Sequence, residues 1–90
     1  MPTMAVYRQV QVLSSQLGRE VVLLEPHSDR VAYTNASAAM IYQLCDGERT
    51  ESEIVELLAE AYPEAAEQIP TQVSAVLEQL LSAGMLERVR

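Results

Sequence analysis

Leu44-Cys45-Asp46-Gly47-Glu48-Arg49-Thr50 decides the fold, together with the amphipathic segments on either side of it. A helical pattern ends at Asp46-Gly47, and a new one opens at Thr50 with Glu53 three residues later. Gly47 suits the left-handed backbone just past a helix end, where a Cβ is penalised. Thr50-Glu51-Ser52-Glu53 has the form of a capping box, in which each outer side chain bonds the other's backbone N–H. The stretch therefore joins two helices into a helix–turn–helix, and its role is structural.

Upstream, Val6 to Leu13 alternates in part, with Val10 and Val12 against Gln9 and Gln11, which is the period of a half-buried strand. Ser14-Ser15-Gln16-Leu17-Gly18 reads as a turn or loop. Glu20 to Leu24 is a second strand, rich in Val and Leu. Pro26-His27-Ser28-Asp29 breaks it, since Pro26 cannot donate to a ladder. Arg30 to Thr34 is a short third strand, and the spacings suit an antiparallel meander. Asn35 is then an N-cap for a helix reaching about Cys45, with Ala36, Met40, Ile41 and Leu44 on one stripe.

Downstream, the second helix runs from Thr50 to about Tyr62. Ile54, Leu57, Leu58, Ala61 and Tyr62 share its apolar face, and Glu53, Glu56 and Glu60 its polar one. Pro63 ends it. Glu64 to Pro70 is a connector. The third helix spans about Thr71 to Ala83, with the stripe Val73, Val76, Leu77, Leu80, Leu81 and with Gly84 as its stop. Met85 to Val89 is a short strand or a tail. The expectation is one α+β domain over residues 1–90. A three-stranded antiparallel sheet is followed by three helices, in a winged helix-turn-helix-like arrangement.

The net charge is −7, and the six basic residues are all Arg and scattered. Eight acids fall between Asp46 and Glu67, with Arg49 as their only counter-charge. Such a surface repels nucleic acid and anionic lipid and suits a basic partner or plain solvation. One cysteine rules out an internal disulfide, so nothing calls for an oxidising compartment. Met1-Pro2-Thr3-Met4-Ala5 lacks the basic start of a signal peptide, and no apolar run approaches the ~20 residues of a membrane span. The expected location is the cytoplasm.

Enzyme chemistry finds little to stand on. His27 is the sole imidazole and falls in a turn, so it has no partner for catalysis or metal binding. Cys45 ends an apolar stripe and reads as a buried, inert thiol. The three glycines stand singly, so there is no phosphate loop. Glu53, Glu56 and Glu60 face outward and make no inward ligand set. No catalytic residue, cofactor or metal is expected. A winged-helix transcription regulator, or another nucleic-acid-binding protein, is the alternative that shares the architecture. Its recognition helix would read bases with Arg, Lys, Asn or Gln. The third helix offers Gln72, Glu78 and Gln79 and no Lys or Arg. A third class is a regulatory subunit that contacts only a protein partner. What remains is the open edge of a small meander, which is a template for an added strand, beside an apolar helix that could supply side-chain pockets. The same edge is free to pair with a second copy, giving a homodimer.

The order of elements resembles the pyrroloquinoline quinone biosynthesis protein D family, the recognition element of ribosomally made, modified peptides. The resemblance is carried by Val22-Leu23-Leu24-Glu25-Pro26, Val31-Ala32-Tyr33-Thr34-Asn35 and the small-residue helix start Ala36-Ser37-Ala38-Ala39. It continues through Leu44 to Thr50, Ile54 and Leu58, and then Val73, Val76-Leu77, Leu80-Leu81 and Gly84-Met85-Leu86. Where the family usually has Leu before the Asn of the third strand, this chain has Thr34. The resemblance implies a non-catalytic peptide chaperone. Members bind the leader segment of a precursor peptide as an extra strand on the third strand, against the third helix. They present it to a modifying enzyme, often a radical S-adenosylmethionine protein. Carried over, the edge is Arg30, Val31, Ala32, Tyr33 and Thr34, and the facing helix residues are Gln72, Val76, Gln79 and Leu80.

Overall fold

The computed structural model describes residues 4–10, 12–18 and 20–89. The expected opening at Met1–Thr3, Gln11 of the expected first strand, and the scattered cations Arg19 and Arg90 lie outside these residues. The order is β1 (Val6–Gln9), β2 (Leu13–Leu17), β3 (Glu20–Glu25), β4 (Arg30–Asn35), α1 (Ala36–Leu44), β5 (Asp46–Thr50) and α2 (Glu51–Ala61). A 3-10 turn (Pro63–Ala65), α3 (Ile69–Ser82) and β6 (Leu86–Arg88) follow. The strands form two antiparallel three-stranded sheets, ordered β5-β1-β6 and β2-β3-β4.

The α+β class and the three helices are as the pattern reads, while the sheet layout is richer. The segment expected as one strand, Val6 to Leu13, serves both sheets: β1 is central in one and β2 lies at the edge of the other. The segment Ser14 to Gly18, expected as a turn, is mostly strand. Its Ser and Gln side chains are exposed and cost nothing on an edge, and Gly18, at φ 63°, marks the turn. Asp46–Thr50 is both turn and strand. It pairs with β1 through a bulge, the register passing from Val6↔Thr50 to Arg8↔Asp46, and Gly47 takes φ 85° there.

Local chemistry sets the helix ends. The Asn35 side chain accepts the Ala38 N–H at 2.8 Å. Thr50 and Glu53 close the capping box, with N–H to oxygen distances of 2.9 and 3.1 Å. α3 begins at Ile69, earlier than the connector reading allowed. Pro70 sits in its first turn, where a missing N–H is harmless, and Ile69 is buried. At its far end the Gly84 N–H donates to the Leu81 carbonyl and the Met85 N–H to that of Leu80, a Schellman closure around a glycine at φ 80°.

The core lies between the sheets and the helices. Leu23, Ile41, Ile54, Leu77 and Met85 are buried there, together with Val6 at the start of the chain's first strand. The β5-β1-β6 sheet is tied to α1, since Gln9 Nε2 donates to the carbonyls of Tyr42 and Gln43 at 3.1 and 3.2 Å. The Tyr42 hydroxyl donates back to the Val10 carbonyl at 3.0 Å. α1 packs on the β2-β3-β4 sheet through β3 and β4.

Candidate functional site

β4 bonds β3 on one flank, and among the described residues no strand bonds the other. The register fixes which of its groups are free. Thr34 Oγ1 donates to the Val21 carbonyl at 2.8 Å, so that carbonyl points at β4. Opposed residues in an antiparallel ladder alternate between exchanging both bonds and exchanging neither. Val21↔Thr34, Leu23↔Ala32 and Glu25↔Arg30 are therefore the bonded pairs. The N–H and C=O groups of Val31 and Tyr33 point outward from the edge, as does the N–H of Asn35, whose carbonyl opens the α1 ladder.

The side chains alternate across the same strand. Ala32 and Thr34 turn toward the helices, and Thr34 is buried with its hydroxyl satisfied. A hydroxyl where the resemblance expects Leu is thus absorbed by a cross-strand bond rather than left unpaired. Val31 and Tyr33 stand on the opposite face, 45 % and 72 % exposed.

A groove of about 390 Å³ runs between this edge and α3. Ala32, Tyr33, Thr34 and Asn35 form one wall, and Val76, Gln79, Leu80 and Ala83 the other, with Ala38 of α1 between them. Leu80 is buried, Val76 half-buried and Gln79 exposed, so the α3 wall grades from core to solvent. Of the residues named from the sequence, Ala32, Tyr33, Thr34, Val76, Gln79 and Leu80 come together here. Arg30 and Val31 lie on the strand but not in the groove lining. Arg30 lies over the end of α3, where a Cβ on Gly84 would stand 2.5 Å from its Nη1. There its charge faces the negative end of the helix dipole. Gln72 is not in the groove. It lines a second cleft, beside the start of α3.

Sequence reasoning missed Asn35, Ala38 and Ala83 as lining residues. The signal for Ala38 and Ala83 was their size, because a groove between a strand and a helix needs small residues on its floor. Asn35 was legible as a cap but also carries the last outward backbone N–H of the edge.

No acid–base or nucleophilic chemistry converges on the groove. Cys45 is buried, its thiol donates to the Ile41 carbonyl at 3.3 Å, and burial, helped by Asp46, pushes its pKa up to about 12. Burial likewise raises the Tyr42 phenol, whose hydroxyl is spent on Val10. The Glu25 carboxylate sits below its usual range because the Ser28 hydroxyl and the His27 N–H both donate to it, which pins the β3–β4 turn. His27 is exposed in that turn. Among the described residues no group of three or more His, Cys, Asp or Glu could hold a metal ion, and no helix is long and apolar enough to cross a membrane.

A family model, coenzyme PQQ synthesis protein D (PqqD), matches residues 20–86, from the first residue of β3 to the first of β6. Two curated relatives, each named PqqA binding protein, match most of the chain. That of Rhodopseudomonas palustris is 34 % identical over 86 residues, covering 96 % of this chain and 82 % of the relative. That of Bradyrhizobium diazoefficiens is 38 % identical over 73 residues, covering 80 % and 69 %. The solved structure of TbiB1 in complex with the TbiA(beta) leader peptide shares the fold. It has a TM-score of 0.70 and 22 % identity over 89 % of this chain and 94 % of that one.

Proposed function

We infer the function from one premise: the chain belongs to the coenzyme PQQ synthesis protein D family, whose model covers residues 20–86. The protein binds the leader segment of a ribosomally made precursor peptide. Its relatives bear the name PqqA binding protein, which supports a peptide of that kind as the ligand. The mechanism we propose is strand addition. The peptide lies along β4, bonds the outward groups of Val31 and Tyr33 and the Asn35 N–H, and sets its side chains against Val76, Gln79 and Leu80. The open β4 edge facing a groove-lined α3 is the observation that carries this reading.

Main-chain bonds give such a site affinity with little regard to sequence, and the groove wall gives it selectivity. The chain then works as one recognition domain that is not itself a catalyst. It hands the bound peptide to a modifying enzyme, of the radical S-adenosylmethionine kind, in the cytoplasm. A homodimer through β4 would occupy the same edge, so peptide and second copy compete. Duplex DNA is a poor alternative, because the charge is −7 and α3 contains no Lys or Arg.

The test is backbone chemical-shift mapping with the synthetic PqqA peptide of the Rhodopseudomonas palustris relative. The largest shifts are expected on residues 30–35 and on Val76, Gln79 and Ala83. Shifts centred on the acidic helix α2, with residues 30–35 silent, would overturn strand addition.

A further inference from the structure

The α3 stripe that lines the β4 groove continues beyond it. Gln72, Val76, Gln79 and Ala83 follow at helical spacing, yet only the last three border the groove. Gln72 borders a second cleft, of about 360 Å³, between α1, α2 and the start of α3. The first turn of α1 is the partition: Asn35 and Ala38 face the groove, and Ala36 and Ser37 face the cleft. The free edge of β4 therefore ends where the second cleft begins.

The cleft is built for an apolar guest. Buried Ile41, Leu58 and Ile69 form its walls, and Met40 and Tyr62, both exposed in part, stand at its mouth. Glu64 is the only ionisable carboxylate among its lining residues. Resting on the strand-addition reading, we propose that this cleft is a second subsite. It takes one large aliphatic or aromatic side chain from the same peptide, after the peptide has run past Asn35. The distance fits. Seven residues of helix separate Gln79 from Gln72, a rise of about 10 Å. An extended chain covers that in about three residues. The guest is therefore expected about three residues from the one that faces Gln79. Continuity of the two walls, rather than the cleft alone, argues for a single peptide as occupant.

The experiment uses the full chain with methyl labels on Met40, Ile41 and Ile69 and the synthetic PqqA peptide of the Rhodopseudomonas palustris relative, whole and shortened from each end. The whole peptide should move the cleft methyls and the amides of Tyr33 and Gln79 together. Shortening from one end should silence the methyls and weaken binding about tenfold, the loss of one buried apolar side chain, while the Tyr33 and Gln79 shifts persist. Ser37→Trp, at an exposed position, should plug the mouth and give the same signature with the whole peptide. Cleft methyls that stay still while the β4 amides move, or full affinity in the Ser37→Trp variant, would overturn the second subsite and leave strand addition standing. Silence at both places would overturn strand addition as well.

Discussion

The turn from Asp46 to Glu53 and the edge from Arg30 to Asn35 are both short runs of backbone that depart from a helix, and they treat their hydrogen bonds in opposite ways. In the turn the capping and turn groups bond one another. Asp46 Oδ1 accepts the N–H groups of Glu48 and Arg49 at 2.9 Å, its other oxygen takes the Arg49 guanidinium at 3.0 Å, and Thr50 and Glu53 cap one another. In the edge, Val31 and Tyr33 keep both N–H and C=O for a partner that is not part of the chain. A region that makes the fold satisfies itself, and a region that binds leaves main-chain groups unspent next to a shaped wall. Damage to the first should cost stability alone, and damage to the outward groups of the second should cost affinity alone.

The sharpest way to break that contrast is proline in the edge. Tyr33 carries an outward N–H, so Tyr33→Pro removes a donor that only the peptide would use, and an edge strand tolerates Pro there. Binding should fall below detection in a domain that still unfolds cooperatively. Ala32→Pro removes a donor to β3 and should act the other way, destabilising the domain first. Calorimetric titration beside denaturant unfolding reads both. If the two variants lose affinity and stability in the same proportion, the inward and outward assignment is wrong.

Gln79→Ala sharpens the same contrast from the helix side. Gln79 is exposed in the groove wall, so its loss should leave the unfolding midpoint in place while affinity drops by on the order of 1–2 kcal/mol, roughly tenfold. An unchanged dissociation constant would mean that α3 is scenery to the peptide. In the turn, Gly47→Val should do the reverse. The nearest atoms to its Cβ would be those of the Arg8 side chain at an ordinary 3.6 Å, so the expected cost comes first from the φ of 85°, about 1–2 kcal/mol or more for a β-branched residue. Thr50→Ala should cost about 1 kcal/mol through the lost cap. Affinity per folded molecule should stay constant in both variants, and a fully folded Gly47 variant that fails to bind would make the turn a contact site.

The two regions also differ in how well the sequence displayed them. Gly47, Thr50 and Glu53 act within a few residues of one another, so their geometry was readable from their order. The edge was readable as a strand, and six of its expected site residues meet in the groove. The split of Val6 to Leu13 was not readable, because β1 is claimed by β5 and β6 from far along the chain, and period two looks the same whichever sheet receives it. Gln72 lies outside the β4 groove for a related reason. It shares a helix stripe with Val76 and Gln79, but β4 ends at Asn35, so the wall it would face is no longer strand.

The smallest expected effect is in pH, and it separates turn from edge without any substitution in the edge. The backbone N–H groups of Arg49 and Glu48 hold the Asp46 carboxyl below its usual range, and the Ser28 hydroxyl and His27 N–H do the same for Glu25. A carboxylate with a depressed folded pKa adds stability that is fully present above its unfolded value. That stability is lost as pH falls through the lower folded value, here from about 4 downward. Glu51 has the opposite sign. Burial raises its pKa, so its ionised form weighs against the fold and protonation above the usual carboxylate range relieves that. Stability should therefore rise slightly as pH falls toward the usual carboxylate range and then drop as pH falls below it. Glu51→Gln should remove the rise, and Asp46→Ala should shallow the drop. The residues lining the β4 groove include no carboxylate and no imidazole. With a peptide whose own carboxylates are replaced by amides, affinity between pH 4 and 6 should track the folded fraction and nothing else. A titrating affinity in that window would place an ionisable group in the bound peptide's path, and the division between a self-satisfied turn and an open edge with an uncharged groove would have to be redrawn.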